Sequence, residues 1–469
     1  MSQGLLVNLG LMVGVAAFAI LAAVSPVAAV ATAGGVVLCA GALRRLEDLP
    51  RAGLLLILAM VPVDYLTKLD GGSMTVTKLL FPVALGMLFL QRVTTGRAFA
   101  GCAQAKLVLG FAISVLLSLL LNPVTAFSIG SVQGYAGVFL LFFLTLNVVE
   151  CEGDVRAMLT VLVFSCLLSA VVGMLGLSLG FLPRGILALM APHDMRMIGL
   201  SSVNPNTFAT YVLTALLLVA YLAGTDRRAW TRALLVPIVL VMGLAIVLSR
   251  SRAVSLVAAT SALVLIVRIR HRVALWKVGL FVAAVAGCLL WMAPAQYFER
   301  VLSLLANPES DLSFQSRKSF NALALALFVE HPLLGVGPGN FSEYFTSPDF
   351  RFIVDTFGSW KMVHNLYLGV ACHMGILGLG LFGAILWRAF ADLSFVVRSY
   401  NEGEDGFLKR AAEAVQVALF SFLFNAFFLP MEREKYMWIL FGVCAAMARI
   451  RRAERERVAV LPATPAEAG

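Results

Sequence analysis

The chain has 469 residues, of which 60% are hydrophobic and 13% charged, and its formal net charge at pH 7 is +10. A soluble globular chain usually carries about 25% charged residues and about 45–50% apolar ones. The 36 basic and 26 acidic side chains are too few to cover soluble domains of this total length. The composition therefore excludes a soluble enzyme, a disordered chain and a disulfide scaffold, and it predicts a polytopic integral membrane protein. The basic residues are then expected to flank helices, and not to bind nucleic acid.

Apolar residues are grouped in up to fourteen segments, most of them of a length that crosses a hydrocarbon core of roughly 30 Å. In chain order these segments are 4–24, 26–43, 52–63, 76–90, 106–121, 130–149, 157–182, 207–223, 233–248, 253–267, 278–295, 365–387, 411–429 and 436–448. The segment 52–63 is short for a full span, and 253–267 is marginal. The pattern predicts an all-α transmembrane bundle of about 12–14 spans.

The distribution of basic residues predicts the orientation of this bundle. With both termini inside, the inside loops carry 23 Lys and Arg residues, against 8 in the short outside loops. Cytoplasmic loops carry such an excess, so both termini are predicted to be cytoplasmic. The domain boundaries follow as 1–295 for helices with short loops, 296–364 for one long periplasmic loop, 365–448 for the last helices, and 449–469 for a basic cytoplasmic tail.

The long loop contains a helical pattern followed by a turn. Residues 314–330 place apolar side chains at helical spacing with Arg317 and Lys318 near the start, which predicts an amphipathic helix at the membrane surface. The sequence His331-Pro-Leu-Leu-Gly335-Val-Gly337-Pro-Gly339-Asn340-Phe341 follows, and its glycines and prolines end the helix. Neither a phosphate-binding loop nor a Rossmann motif fits these glycines, because no Lys-Ser/Thr pair follows and no strand precedes them.

Three arginines lie at predicted outer ends of helices. Arg196 precedes Pro205 and Asn206, where Asn206 or a neighbour is expected to cap a helix; Arg196 itself fits either an interfacial anchor or an anion ligand. Arg250 and Arg252 lie in Ser-Arg-Ser-Arg between two apolar segments, where there is almost no loop to keep them in water. Such arginines fit either a turn that touches lipid headgroups or a site for a phosphate-bearing lipid, whose oxygens match the guanidinium fork.

His364 differs from the other four histidines in its position. It ends the long loop and begins a predicted span, so a rigid helix end would hold it within reach of water. An imidazole with an ordinary pKa near 6.5 suits a general base. A plain interfacial histidine is the alternative. The outside loops contain neither a paired-carboxylate motif such as Asp-x-Asp nor a His/Cys cluster with zinc spacing, and the residues favour metal-independent chemistry on an anionic lipid.

Four motifs occur in a fixed order between about residues 190 and 385. They are Arg196-Met-Ile-Gly199 with Asn204-Pro-Asn206, Ser251-Arg252-Ala253, Arg317 with His331 to Phe341, and His364-Asn365-Leu-Tyr367-Leu running into Met374-Gly375-Ile376-Leu-Gly378. In this order, with the long loop in the same place, they resemble the O-antigen ligase and O-antigen polymerase superfamily of bacterial membrane glycosyltransferases.

The resemblance implies a GT-C-like architecture, usually of about twelve spans, in the bacterial inner membrane with its site facing the periplasm. It implies no cofactor and no metal. The donor would be an undecaprenyl-pyrophosphate-linked glycan, and the acceptor lipid A-core or a glycan. By motif position, Arg196, Arg252 and Arg317 would bind the pyrophosphate with Arg250 beside them, and His364 would deprotonate the acceptor hydroxyl. The supporting residues would be Asn206, Gly337, Asn340, Asn365 and Tyr367.

Several functions remain open at this point. We favour an O-antigen ligase, but a chain polymerase and a protein O-oligosaccharyltransferase share its donor chemistry and differ only in the acceptor. A transporter or flippase for lipid-linked sugars would need charged pairs near mid-membrane and related halves of the chain, and the sequence favours neither. A structural scaffold would not need arginines and a histidine on one face.

Overall fold

The computed structural model describes residues 49–63, 75–179, 196–197, 204–226, 228–270, 275–293, 297–299, 302, 312–346, 362–401 and 404–460. The predicted segments 4–24 and 26–43 lie outside the described residues. The described residues form helices joined by turns, with no β-strand among them. The all-α class predicted from the sequence is therefore confirmed.

The helices are numbered here in chain order. Their bounds are α1 Leu49–Met60, α2 Val76–Thr95, α3 Ala103–Leu120, α4 Ala126–Val148, α5 Glu152–Leu179, α6 Pro205–Gly224, α7 Ala229–Leu248, α8 Arg252–Ile269, α9 Leu275–Met292, α10 Leu312–Glu330, α11 Phe341–Thr346, α12 Leu366–Arg398, α13 Phe407–Asn425 and α14 Lys435–Val460. A short 3₁₀ turn, Val61–Val63, follows α1.

A helix overlaps each predicted apolar segment that begins at residue 52 or later. Seven helices, α2 to α7 and α12, are long and apolar enough to cross a membrane. The short segment at 52–63 corresponds to α1, whose 12 residues extend for only about 18 Å. The last helix, α14, continues through the basic stretch after residue 448 as far as Val460. The total of 12–14 spans stays a prediction.

Loops from distant parts of the chain meet at what we call the basic end of the bundle. Arg92 donates to the Asn147 carbonyl at 2.7 Å and to Glu150 at 2.8 Å. Arg449 donates to the Val149 carbonyl at 2.6 Å. These arginines belong to the loops that the sequence predicts to lie inside. The loops predicted to lie outside meet at the opposite end, here called the site end.

The long segment between α9 and α12 builds a small hydrophobic cluster of its own at the site end. It consists of Phe320, Leu323, Ala324 and Leu327 from α10 with Val336, Phe341, Phe345, Val363 and Cys372. The amphipathic helix predicted at 314–330 is thus present, and one apolar stripe of it packs on protein. Leu325 and Val329 stay exposed on another side, 53% and 68% respectively; the position of α10 at a membrane surface stays a prediction.

Helix α12 is broken at Gly375, nine residues after its buried start, and the turn that follows α10 fills the break. Gly375 has φ 62° and ψ −161°, which interrupts the helical hydrogen bonds. The Val336 amide donates to the Cys372 carbonyl at 2.9 Å, and the Ile376 amide donates to the Pro332 carbonyl at 2.8 Å. Irregular backbone at membrane depth requires such internal partners. The break therefore fixes the long segment onto α12, close to where α12 begins.

Candidate active site

Arg196 is brought to the start of α6 and the end of α7. Its Nε donates to the Ser249 carbonyl at 2.8 Å, and its Nη2 donates to Asn206 Oδ1 at 2.9 Å. The cap of α6 is Asn204, whose Oδ1 accepts from the Asn206 amide at 2.9 Å. The prediction of a cap by Asn206 or a neighbour is thus resolved in favour of the neighbour, and the Asn206 side chain orients Arg196 instead.

The turn that carries Arg250 and Arg252 is built on two buried serines. Ser249 is fully buried and Ser251 is 1% exposed, and Ser251 caps α8 by accepting from the Val254 amide. Arg250 has a φ of +50°, a left-handed conformation that is costly for a side chain with a Cβ. Both arginines are half-buried. Because Arg196 binds the Ser249 carbonyl, the three guanidinium-bearing residues form one cluster, here called the arginine cluster.

His364 lies directly before the first turn of α12. Asn365 is the cap residue of this helix, and its Oδ1 accepts from the amides of Tyr367 at 3.0 Å and Leu368 at 3.1 Å. The Tyr367 hydroxyl donates to the Leu423 carbonyl of α13 at 2.8 Å. Asn365 and Tyr367 therefore fix the start of α12 against α13. They also fix the backbone that carries His364.

The imidazole of His364 is oriented by a ring on α10. It stacks on Phe320 with ring centroids 5.8 Å apart and an angle of 22° between the planes. Phe320 is 5% exposed, whereas His364 is half-buried and so keeps access to solvent. Arg317 lies one helical turn before Phe320, so it shares that face of α10. The structure thus brings Arg317 and His364 to the same side of the long segment.

The arginine cluster and the His364 region are linked through α13. The Thr210 hydroxyl donates to the Asn206 carbonyl at 2.7 Å, and Asn425 Nδ2 donates to Thr210 Oγ1. The next residue, Ala426, accepts a hydrogen bond from the Leu366 amide at 2.8 Å. A few residues at the end of α13 therefore join the starts of α6 and α12. Both groups lie at the site end.

Gly337 and Asn340, predicted as supporting residues, form part of the packing under the long segment. Asn340 is 2% exposed; its Nδ2 donates to the carbonyls of Pro123 at 2.9 Å and Val336 at 3.0 Å, and its Oδ1 accepts from Thr125 at 2.9 Å. Gly337 has φ +96°, and a Cβ there would lie 2.7 Å from Asn340 Nδ2. Both residues hold the turn in place, and their support of the site stays a prediction.

A charged loop that the sequence motifs did not indicate also lies at the site end, between α13 and α14. Arg433 donates to Ser131 Oγ at 3.1 Å, and Glu434 accepts from the Tyr211 hydroxyl. Burial raises the pKa of the Glu432 carboxyl, which is 3% exposed. The run Met-Glu-Arg-Glu-Lys holds four charges in an otherwise apolar stretch. That density of charge is the signal that would have identified the loop.

Residues 237–383 match a family model described as O-antigen ligase. This segment is similar to the O-antigen ligase family. It extends from α7 into the middle of α12, and it contains Arg250, Arg252, Arg317 and His364, whereas Arg196 and Asn206 precede it. A comparison with curated proteins finds no match.

The O-antigen ligase match confirms the superfamily suggested by the sequence motifs, and it indicates a membrane glycosyltransferase activity of the ligase or polymerase type in O-antigen biosynthesis. Such an activity implies a lipid-linked glycan and an acceptor as substrates. The seven apolar helices agree with a multi-pass membrane protein. In the part of the chain that the structure describes, no three His, Cys, Asp or Glu side chains are grouped as metal ligands.

Proposed function

We propose that this protein transfers a glycan from undecaprenyl pyrophosphate to an acceptor hydroxyl, and that it is a ligase whose acceptor is lipid A-core. One observation carries the proposal: an arginine cluster and a histidine held by a helix cap and a ring stack lie at the same end of a membrane bundle. That end is proposed to face the periplasm, in the bacterial inner membrane with both termini cytoplasmic.

The donor pyrophosphate is assigned to the arginine cluster. Guanidinium groups bind phosphate oxygens with two parallel hydrogen bonds, and they keep their charge at any physiological pH. Arg196 is held by two hydrogen bonds, so its guanidinium is oriented before the donor arrives. Preorganised donors of this kind stabilise the charge that grows on a leaving oxygen. Arg317 supplies a further positive charge from α10.

The acceptor is activated by His364 in this proposal. The acceptor hydroxyl gives its proton to the imidazole as its oxygen attacks the anomeric carbon, and the bond from that carbon to the pyrophosphate oxygen breaks. The leaving pyrophosphate carries the electron pair and stays bound by arginine. A positioned base contributes typically 10²–10⁴-fold to such a transfer. A single displacement inverts the anomeric centre, and the arginines take the place of a metal ion.

A polymerase and a protein O-oligosaccharyltransferase would use the same residues with a growing glycan or a Ser/Thr side chain as acceptor. A transporter for lipid-linked sugars is less well supported. Such a transporter would need charged pairs near mid-membrane. Among the described residues, the Asp392 carboxylate pairs with Arg388 at 2.7 Å and with Arg452 at 2.9 Å, but these pairs lie near the basic end of α12 and not near its middle.

The test is a transfer assay with the purified protein, undecaprenyl-pyrophosphate glycan and EDTA, followed by gel shift of the glycan. Separate reactions contain lipid A-core, a peptide acceptor, or no acceptor. The proposal predicts transfer to lipid A-core, lost in His364→Ala. Longer lipid-linked chains without acceptor would instead identify a polymerase, and transfer to peptide a protein glycosyltransferase. Transport of the donor without any transfer would overturn the proposal.

A further inference from the structure

A second cationic site lies at the site end, among helices that carry none of the arginine cluster. A cleft of about 470 Å³ runs between α1, α2 and α4 and under the loop before α14. Lys78, Arg433 and Lys435 line it at the site end, where α2, α4 and α14 begin. Deeper along α2 and α4 its lining is apolar, with Phe81 and Leu141. A cleft that is cationic at one end and apolar along its depth matches an amphiphile with an anionic headgroup.

The cleft adjoins surface that is suited to contact lipid. The large apolar side chains Leu79 and Val83 of α2 are 41% and 51% exposed, and Leu140 of α4 is 40% exposed. These helices are long and apolar enough to cross a membrane. A ligand of the cleft is therefore expected to enter sideways from the bilayer, with its chains beside these helices.

A buried hydroxyl in the cleft lacks a partner. Thr77 is 3% exposed, it lines the cleft, and its Oγ1 has no hydrogen-bond partner among the described residues. Buried polar atoms are nearly always paired, and an unpaired one costs about 1–3 kcal/mol. A phosphate or hydroxyl oxygen from a ligand headgroup, next to Lys78, would supply that partner.

The groove along α4 is formed by glycines. Gly130 and Gly137 line the cleft, and a Cβ on either would meet no atom within 4 Å. At Gly134, between them, a Cβ would lie 3.1 Å from Arg433 Cδ, so Arg433 crosses the helix where it has no side chain. Among the described residues, no atom occupies the space beside Gly137, which is where we place an acyl chain.

Arg433 also connects the cleft with the His364 region. Its Nη1 donates to Ser131, and it lines a second cavity of about 190 Å³ together with Met362 and His373. Met362 lies two residues before His364. The acidic neighbours of Arg433 have contacts of their own: Glu434 accepts from the Tyr211 hydroxyl, and the Glu432 carboxylate forms an ion pair with Arg433, 3.9 Å from its Nε. The guanidinium carries five N–H donors, so this pair leaves donors for a phosphate.

We propose that this cleft binds the phosphorylated headgroup of the acceptor lipid, whose acyl chains lie along the glycines of α4. This inference rests on the proposed function, and it adds a site for the acceptor that is separate from the arginine cluster for the donor. Lys78, Arg433 and Lys435 bind the phosphate, and Thr77 accepts or donates one hydrogen bond to the headgroup. Arg433 holds the headgroup beside the cavity that leads to Met362, so that its sugar reaches His364.

Binding is measured directly, without turnover, on the protein in phosphatidylcholine nanodiscs. The probes are diphosphorylated lipid A, the same lipid after phosphatase treatment, and undecaprenyl pyrophosphate. The double variant Lys78→Ala/Lys435→Ala should bind diphosphorylated lipid A at least about tenfold more weakly, since hydrogen bonds to charged groups are the stronger kind. It should bind the dephosphorylated lipid as the wild type does. Its affinity for undecaprenyl pyrophosphate should not change.

A filled groove tests the site without removing charge. Gly137→Leu should lower lipid A affinity by a similar factor while the protein stays folded, because glycine is the poorer helix former and no atom lies near its Cβ. Gly383→Leu on α12, where a Cβ also meets nothing, is the matched control and should bind normally. Unchanged lipid A binding in both cleft variants would overturn the inference.

Two further outcomes separate this inference from the proposed function. If phosphatidylglycerol displaces lipid A from the wild type at equal concentration, the cleft holds an ordinary anionic phospholipid and the acceptor assignment is wrong. If lipid A binds the cleft as described but no glycan transfer occurs with any acceptor, the proposed function fails while the lipid site stands. Loss of undecaprenyl pyrophosphate binding in the cleft variants would contradict two separate sites.

Discussion

The imidazole of His364 lies stacked on the ring of Phe320, with 5.8 Å between the ring centroids and 22° between the planes. These two residues are 44 positions apart in the chain, and the contact ties α10 to the start of α12. A base that must take a proton from a bound hydroxyl depends on a fixed ring orientation. The stack therefore makes Phe320 a positioning residue for the proposed reaction.

The first prediction concerns this stack. Phe320→Leu keeps an apolar side chain in the buried cluster but removes the flat surface under the imidazole. We expect the turnover number to fall several-fold with little change in KM, since donor and acceptor contacts are untouched. Phe320→Tyr, which keeps the ring, should restore turnover. Equal turnover in all three proteins, measured in the transfer assay, would show that the stack does not orient the base.

The second prediction uses the strained backbone at Arg250. A left-handed conformation costs a residue with a Cβ roughly 1–2 kcal/mol, and glycine adopts it freely. Arg250→Gly should therefore be at least as thermally stable as Arg250→Ala, which keeps the strain. Both variants should bind undecaprenyl pyrophosphate at least about tenfold more weakly if this arginine contacts phosphate. Wild-type affinity in both variants would remove Arg250 from the donor site.

The third prediction separates strain from crowding at the turn that fills the α12 break. Gly335 and Gly96 have nearly the same φ, +66° and +65°, but only at Gly335 would a Cβ collide with the backbone, 2.4 Å from the Cys372 carbonyl oxygen. Both Gly→Ala variants carry the same conformational cost, but only Gly335→Ala adds a clash with the backbone. Gly335→Ala should therefore be less stable than Gly96→Ala by about 1–3 kcal/mol. Thermal unfolding in detergent measures the difference. Equal stabilities would mean that the turn adjusts to the extra methyl group at low cost and does not hold α12 in place.

The fourth prediction is a pH dependence that arises from Glu432. Burial raises the pKa of this carboxyl, and the nearby Arg433 offsets the effect only in part. A raised folded-state pKa means that the folded protein holds the proton more tightly than the unfolded chain. The resulting stability is present below the ordinary carboxyl pKa of about 4.3 and is lost as the pH rises through the folded-state value.

Glu432→Gln should therefore unfold at a higher temperature than the wild type near neutral pH, and the gap should narrow as the pH falls toward 4. Glu150→Gln at the basic end, where the carboxylate takes a hydrogen bond from Arg92 and is 41% exposed, should not gain stability in this way. A Glu432→Gln protein with the same or a lower unfolding temperature at pH 7 would contradict the burial argument.

The fold could be predicted from the sequence to a large extent, because the bilayer imposes a length and a composition on each spanning helix. The spacing of apolar residues also predicts a helix at 314–330, which the structure shows as Leu312–Glu330. The surface that covers the apolar stripe of this helix was not predicted. Its partners Val363 and Cys372 are far along the chain, and a periodic pattern does not show which surface buries the stripe. The break at Gly375 was missed for the same reason.

The site was predicted in part. Arg196 and the turn at 249–252 were identified separately, as arginines at the outer edges of apolar segments. Their contact joins residues 53 positions apart, and the sequence pattern does not show such tertiary contacts. Gly337 and Asn340 are expected to support the site, and the structure shows the buried contacts by which they hold the turn after α10. Arg433 and Lys435 were counted among the outer charges without further weight, because a short loop between two helices gives no sign of the cleft it borders.

The most direct test of the central claim compares His364→Ala with the wild type in single-turnover glycan transfer, with donor binding measured in parallel. We predict that undecaprenyl pyrophosphate binds both proteins equally, while the rate of transfer to lipid A-core falls by at least about 100-fold in the variant. A variant that binds the donor and transfers glycan within a few-fold of the wild-type rate would contradict the assignment of His364 as the base.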